Sequence, residues 1–152
     1  MKILMVCLGN ICRSPLAEGI LKNKIKQAGL DWEVDSAGIG GWHEGDLPDR
    51  RSIAVAQKNN IDLTDQRARK INTSDLDTFD WILAMDKENY KGILSYAKTE
   101  KHRSKTALIM NFAHPKANEE VPDPYYDGRF ELVYQMLDEA CEAFLTQRIA
   151  AE

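Results

Sequence analysis

Lys2-Ile3-Leu4-Met5-Val6-Cys7-Leu8-Gly9-Asn10-Ile11-Cys12-Arg13-Ser14-Pro15 reads as a buried strand, a tight turn and the start of a helix. Lys2–Cys7 is a nearly continuous apolar run, the pattern of a parallel strand covered on both faces. Ser14 then offers an N-cap and Pro15 the first helical position. Leu16, Ile20, Leu21, Ile25 and Ala28 give that helix one apolar face, and Gly29 closes it.

The same alternation continues along the chain. Trp32–Ala37 is expected as a second strand, ended by Gly38-Ile39-Gly40-Gly41, and Arg50–Asn59 as a helix. Thr73 or Ser74 is expected to cap a further short helix. Asp80–Met85 reads as a third strand, Asp86 as a cap, Lys87–Ala97 as helix and Thr106–Met110 as a fourth strand. Phe130, Val133, Tyr134, Leu137, Cys141, Phe144 and Leu145 fall on one stripe of a last helix. Strands alternating with helices predict an α/β fold, with right-handed crossovers and a parallel sheet flanked by helices on both faces. With no repeat, low-complexity tract or linker, residues 1–152 are expected to form one domain.

The bulk numbers narrow the class. A net charge of −4 argues against non-specific nucleic-acid or membrane binding, which favour basic surfaces. No apolar run approaches a membrane span, and the N-terminal run lacks a signal-peptide cleavage site, so a cytoplasmic protein is expected. Three cysteines do not make a disulfide framework, and His43, His102 and His114 show no ligand spacing, so no metal site is expected. Cys141, Trp32, Trp81, Phe79 and Met85 read as core, and Lys98–Lys105 as a solvated surface turn.

Cys7-Leu8-Gly9-Asn10-Ile11-Cys12-Arg13-Ser14 lies where open parallel sheets bind anions, between a strand's carboxyl end and a helix N-terminus. Gly9 and Asn10 tolerate positive φ, so the backbone can curl into an anion nest. Arg13 adds a planar fork of donors that matches two phosphate oxygens. Cys7, at the base of this positive potential, is expected to stand as the thiolate. A nucleophile within a cradle for three oxygens is what phosphoryl transfer requires. The bland reading, a core cysteine beside a surface arginine, fits poorly once strand, glycine turn, arginine and capped helix stand in register. Phe112–Gly128 is long for a loop in a compact domain and carries Pro122-Asp123-Pro124-Tyr125-Tyr126, a segment in which Asp-Pro alone would signify only a turn.

Cys7-Leu8-Gly9-Asn10-Ile11-Cys12-Arg13-Ser14-Pro15 also resembles the phosphate loop of the low-molecular-weight protein tyrosine phosphatases. The similarity extends through Asp35-Ser36-Ala37-Gly38, Trp42-His43 with Gly45, Arg67-Ala68-Arg69, Leu83-Ala84-Met85-Asp86 and Asp123-Pro124-Tyr125-Tyr126. It implies a three-layer, four-stranded parallel sheet of the flavodoxin-like, phosphotyrosine phosphatase I-like kind. It further implies hydrolysis without metal or cofactor through a cysteinyl-phosphate on Cys7, with Arg13 binding phosphate and Asp123 as general acid and base. Asp127 is then a turn residue. Asn10 and Ser36 resemble residues that brace the loop. Ser14 is either a helix cap or a donor to the Cys7 thiolate. Ile11, Trp42, Tyr125 and Tyr126 would wall a slot deep enough for a phenyl ring. Cys12 is either a packing residue or the partner of a reversible disulfide with Cys7. Asp86 and Arg69 match family motifs and are expected to hold structure. Gln66 departs from the family, which often has histidine there. An amide still donates and accepts, so a modest change in Cys7 acidity is expected.

The partner implied is a phosphotyrosine protein, a tyrosine kinase among the candidates. Inorganic phosphate or similar oxyanions should also bind, and a monomer or weak dimer is expected. Among rival readings, an arsenate reductase would need two further relay cysteines that the middle of the chain lacks. An arginine phosphatase is disfavoured because its relatives carry threonine where Ile11 stands. A non-catalytic phosphate-binding or redox-sensing module would be expected to lack Cys7, Arg13 or Asp123.

Overall fold

The computed structural model describes residues 1–152. Four strands, β1 (Lys2–Cys7), β2 (Glu33–Gly38), β3 (Trp81–Ala84) and β4 (Thr106–Leu108), form one sheet in the order β2-β1-β3-β4. Every pairing is parallel, with Cys7 opposite Gly38 and Val6 opposite both Ala37 and Ala84. The strand pleat sorts the apolar run of β1 between two layers. Ile3, Met5 and Cys7 join one core with α1 (Arg13–Gln27), α2 (Arg50–Lys58) and α7 (Phe130–Ala151). Leu4 and Val6 join the other, beneath α3 (Asp75–Thr78) and α4 (Lys87–Leu94). Burial on both faces is why β1 reads as uninterrupted hydrophobic sequence. Trp32, Phe79, Met85 and Cys141 are buried as expected. Trp81 is half-buried, packed edge-on against Phe112 and Phe144 and covered by Arg148.

Local chemistry moves several boundaries. α1 begins at Arg13, so Ser14 lies inside the helix and does not cap it. Gly29, at φ 70°, ends that helix as expected. β4 stops at Leu108 and passes into a 3-10 turn, Ile109–Phe112. Lys98–Lys105 is not a simple surface turn. It holds α5 (Glu100–Ser104), capped by Thr99 Oγ1, which accepts from His102 N at 3.1 Å. His102, a residue of α5, is buried and lies 2.6 Å from Asp77. The long loop contains α6 (Pro124–Asp127), closed by Gly128 at φ 75°. No helix is long and apolar enough to cross a membrane.

Candidate active site

The chain reverses its lateral direction between β1 and β3, and open parallel sheets receive ligands outside the carboxyl ends of such neighbours. β1 delivers Cys7 to that edge, and the backbone then curls through Gly9 and Asn10, at φ 59°, into α1. Gly38 permits the close approach: a Cβ there would lie 3.0 Å from Asn10 N and Gly9 C. The loop carbonyls are engaged by their neighbours. Cys7 O and Leu8 O accept from Ile39 N and Gly40 N at 3.0 and 2.9 Å, and Ile11 O from Asp49 N at 2.8 Å. The backbone N–H groups from Leu8 to Ser14, by contrast, have no protein acceptor. Consecutive unpaired amides at a helix N-terminus are the donors that an oxyanion needs.

Cys7 is 3 % exposed, and its Sγ lies 3.0 Å from Ser14 Oγ. Asn10 Nδ2 donates to Ser14 Oγ at 2.8 Å and to Ser36 Oγ at 3.0 Å. Ser14 Oγ is thereby an acceptor from Asn10, which leaves its own proton for the sulfur. Asn10 Oδ1 accepts from Arg69 N at 3.0 Å, so this side chain ties the loop to two other segments. The chain of bonds continues to a residue not anticipated from sequence. Ser36 Oγ donates to Glu18 Oε1 at 2.6 Å, and Glu18 is buried and paired with Lys22. Burial raises the Glu18 pKa, opposed by its bonds with Lys22 and Ser36. Glu18 stands four residues after Ser14 on α1, and this spacing on one helix face is the signal that could have found it. Gln66 stands apart: its Nε2 donates to Pro15 O at 3.0 Å, and its buried Oε1 has no partner.

Arg13 is 2 % exposed and held from two sides. Its Nη1 donates to Asp86 Oδ2 at 2.6 Å and to Val121 O at 3.0 Å, while Nη2 lies 3.7 Å from Asp123 Oδ2. Burial opposes its charge, but Cys7, Asp86 and Asp123 outweigh that, and its pKa is raised. Asp86 therefore does more than the structural work expected of it: one oxygen grips Arg13 while the other caps α4 through Asn89 N. Asp123 Oδ1 caps α6, accepting from Tyr125 N at 3.1 Å, which turns its other oxygen toward Arg13. Asp127 ends α6 and accepts from Arg129 N at 3.0 Å, consistent with a turn role. Arg69 bridges Asp35 and Asp75, a structural role as expected.

These residues surround a cleft of about 320 Å³. Cys7, Arg13 and Asp123 form its floor and side, with Cys12 beside them. Ile11, Trp42, Tyr125 and Tyr126 line it as anticipated. Trp42 is 71 % and Tyr126 85 % exposed, so they stand at the open rim of the cleft. Leu8, expected in the phosphate loop, also lines the cleft, as does His43, which was not anticipated as a lining residue and packs over Gly9. Asn10, Ser14 and Ser36 lie behind the floor.

The model of the low molecular weight phosphotyrosine protein phosphatase family matches residues 2–152. A low molecular weight phosphotyrosine protein phosphatase of Schizosaccharomyces pombe is 45% identical over 130 residues, covering 84% of this chain and 82% of its own. The crystal structure of YfkJ from Bacillus subtilis superposes with a TM-score of 0.95 at 38% identity, covering 100% of this chain and 96% of that one. A Drosophila arginine phosphatase superposes with a TM-score of 0.90 at 36% identity, covering 97% and 98%. Backbone similarity alone therefore leaves the choice of phosphoryl substrate to the pocket.

Proposed function

The chain belongs to the low molecular weight phosphotyrosine protein phosphatase family and is a protein-tyrosine phosphatase, and we propose that Cys7, Arg13 and Asp123 perform its chemistry. The observation that carries these roles is the run of unpaired amides from Leu8 to Ser14 around Cys7, joined by the Arg13 fork. Cys7 Sγ attacks phosphorus in line while the amides and Arg13 hold the three equatorial oxygens. The phenolic oxygen leaves with the proton of Asp123. The resulting carboxylate then takes a proton from water as that water attacks the cysteinyl-phosphate, and the sulfur departs. Ser14, donating to Sγ, stabilises the departing thiolate, and Asn10 and Ser36 keep Ser14 oriented.

Ile11 and the aromatic walls fit a phenyl ring better than a guanidinium, which favours phosphotyrosine over phosphoarginine. Cys12 is either a packing residue of the loop or the partner of a disulfide: once peroxide oxidises Cys7 to the sulfenic acid, a Cys12 that gives up its proton to the departing hydroxide closes the bond with loss of water. Residues 1–152 act as one phosphatase domain. Its partners are phosphotyrosine proteins, autophosphorylated tyrosine kinases among them, with inorganic phosphate as a competing product. It works as a monomer or weak dimer, and three free cysteines suit a reducing cytoplasm.

Metal-free hydrolysis of p-nitrophenyl phosphate and a phosphotyrosine peptide tests the assignment. Wild type should turn over both, Cys7→Ser neither, and Asp123→Ala should lose roughly a hundredfold. An active Cys7→Ser variant would reject the nucleophile; turnover of phosphoarginine in place of both substrates would reject the reading of the pocket.

A further inference from the structure

Arg51, on the second residue of α2, is joined to both halves of the active site and belongs to neither. Its guanidinium meets the Asp49 carboxylate as a two-point fork, Nε to Oδ1 and Nη2 to Oδ2, both at 3.1 Å. Asp49 is itself fixed to the phosphate loop, its N–H donating to Ile11 O at 2.8 Å. On the other side, Arg51 Nη2 donates to Tyr125 O at 3.3 Å. The flat of the guanidinium packs on two rings, with Cζ 4.6 Å from the Phe130 centroid and 5.5 Å from that of Tyr125.

The bond to Tyr125 O is the one hydrogen bond that reaches residues 124–128 from outside the local segment. Every other bond these residues make is to Asp123, Arg129, Phe130 or one another. α6 spans only Pro124–Asp127, too short to hold itself in place, and it carries Asp123 at its N-cap. We propose that Arg51 is a positioning residue for proton transfer, clamping α6 to the phosphate loop so that Asp123 is held over the leaving oxygen. The inference rests on Asp123 being the general acid. A planar fork that also stacks suits the task, and lysine could supply neither feature.

Phenyl phosphate and p-nitrophenyl phosphate carry rings of the same size but leave as phenols of very different acidity. The poorer leaving group needs the proton more, so misplacing Asp123 must cost it more. In kcat/KM, Arg51→Ala should lose about tenfold or more on phenyl phosphate and less than about threefold on p-nitrophenyl phosphate. Arg51→Lys should behave like Arg51→Ala. Arg51→Gln, whose planar amide can still donate to Tyr125 O, should recover part of the loss and also serves as the informative variant if Arg51→Ala does not fold. In an Asp123→Ala background, Arg51→Ala should add nothing. Equal losses on the two esters, or no loss, overturn the proposal. If Asp123→Ala itself fails to discriminate between the esters, the general-acid assignment fails; if Asp123→Ala discriminates and Arg51→Ala does not, only the role of Arg51 fails.

Discussion

Arg13 Nη1 meets Asp86 Oδ2 at 2.6 Å, joining the residue that opens α1 to the residue that caps α4. The other oxygen of Asp86 accepts from Asn89 N at 2.7 Å, so the carboxylate cannot swing without uncapping α4. The guanidinium is thus oriented before substrate arrives, and the entropy of ordering it is spent in folding rather than in the reaction.

Asp86→Asn keeps a side chain able to cap α4 but removes the charge that grips Arg13. Hydrogen bonds to charged groups contribute about 1.5–3 kcal/mol, so kcat/KM should fall roughly tenfold to a hundredfold. Inhibition by inorganic phosphate should weaken in parallel, with little change in thermal midpoint. Steady-state kinetics and a melting curve on the same preparation check this.

Ser14→Ala removes the donor to Cys7 Sγ, the atom that must leave when the cysteinyl-phosphate is hydrolysed. The second step should slow by about tenfold or more. Stopped-flow with p-nitrophenyl phosphate should show a sharper burst followed by slower turnover than wild type.

Alkylation should discriminate among the cysteines. Burial pushes the Cys12 thiol up to about 12, helped by the charges of Asp49, Cys7 and Asp123, and burial, against the pull of Lys24 and with Asp138 and Glu142 adding to it, does the same to Cys141. Both are protonated thiols at neutral pH, and only thiolates are good nucleophiles. Brief treatment with iodoacetamide near neutrality should modify Cys7 and abolish activity, with Cys12 and Cys141 unlabelled by mass spectrometry. Phosphate should protect.

Glu18 couples stability to pH. Its pKa is raised by burial above the ordinary 4.5, so the folded chain holds this proton more tightly than the unfolded chain does. The stability contributed by the protonated form is fully present below the unfolded value and is lost as pH rises through the folded one. Glu18→Gln removes that term. The unfolding free energy of wild type minus that of Glu18→Gln should therefore fall as pH rises above the ordinary 4.5, measured by urea titration.

Gly19 faces α1's packing partners with no room for a methyl group. A Cβ there would overlap Leu63 Cδ2 and lie 3.0 Å from Ile61 Cγ2. Gly19→Ala should destabilise the fold by about 1–3 kcal/mol, although alanine is the better helix former. Denaturant midpoints decide between the two effects.

The order of strands and helices, the parallel sheet and the phosphate loop follow from local patterns that sequence carries directly. An apolar strand run, a glycine turn and a helical stripe each involve residues within one or two turns of one another. Cys7 and Arg13 were legible for that reason, whereas the lining residues Ile11, Trp42, Tyr125 and Tyr126 were legible through a family resemblance across several motifs. Ser14 as a cap was a misreading of the same kind of pattern: the helix starts two residues earlier than expected, at Arg13 instead of Pro15, and frees the hydroxyl for Cys7. The grip of Asp86 on Arg13, the burial of Glu18 beneath Ser36 and the clamp of Arg51 on α6 left little local trace. Each joins segments far apart in the chain, and ion pairs and side-chain bonds of this kind have no period to read. They exist only because packing α1, α2 and α6 around the switch between β1 and β3 brings their polar atoms within hydrogen-bonding distance.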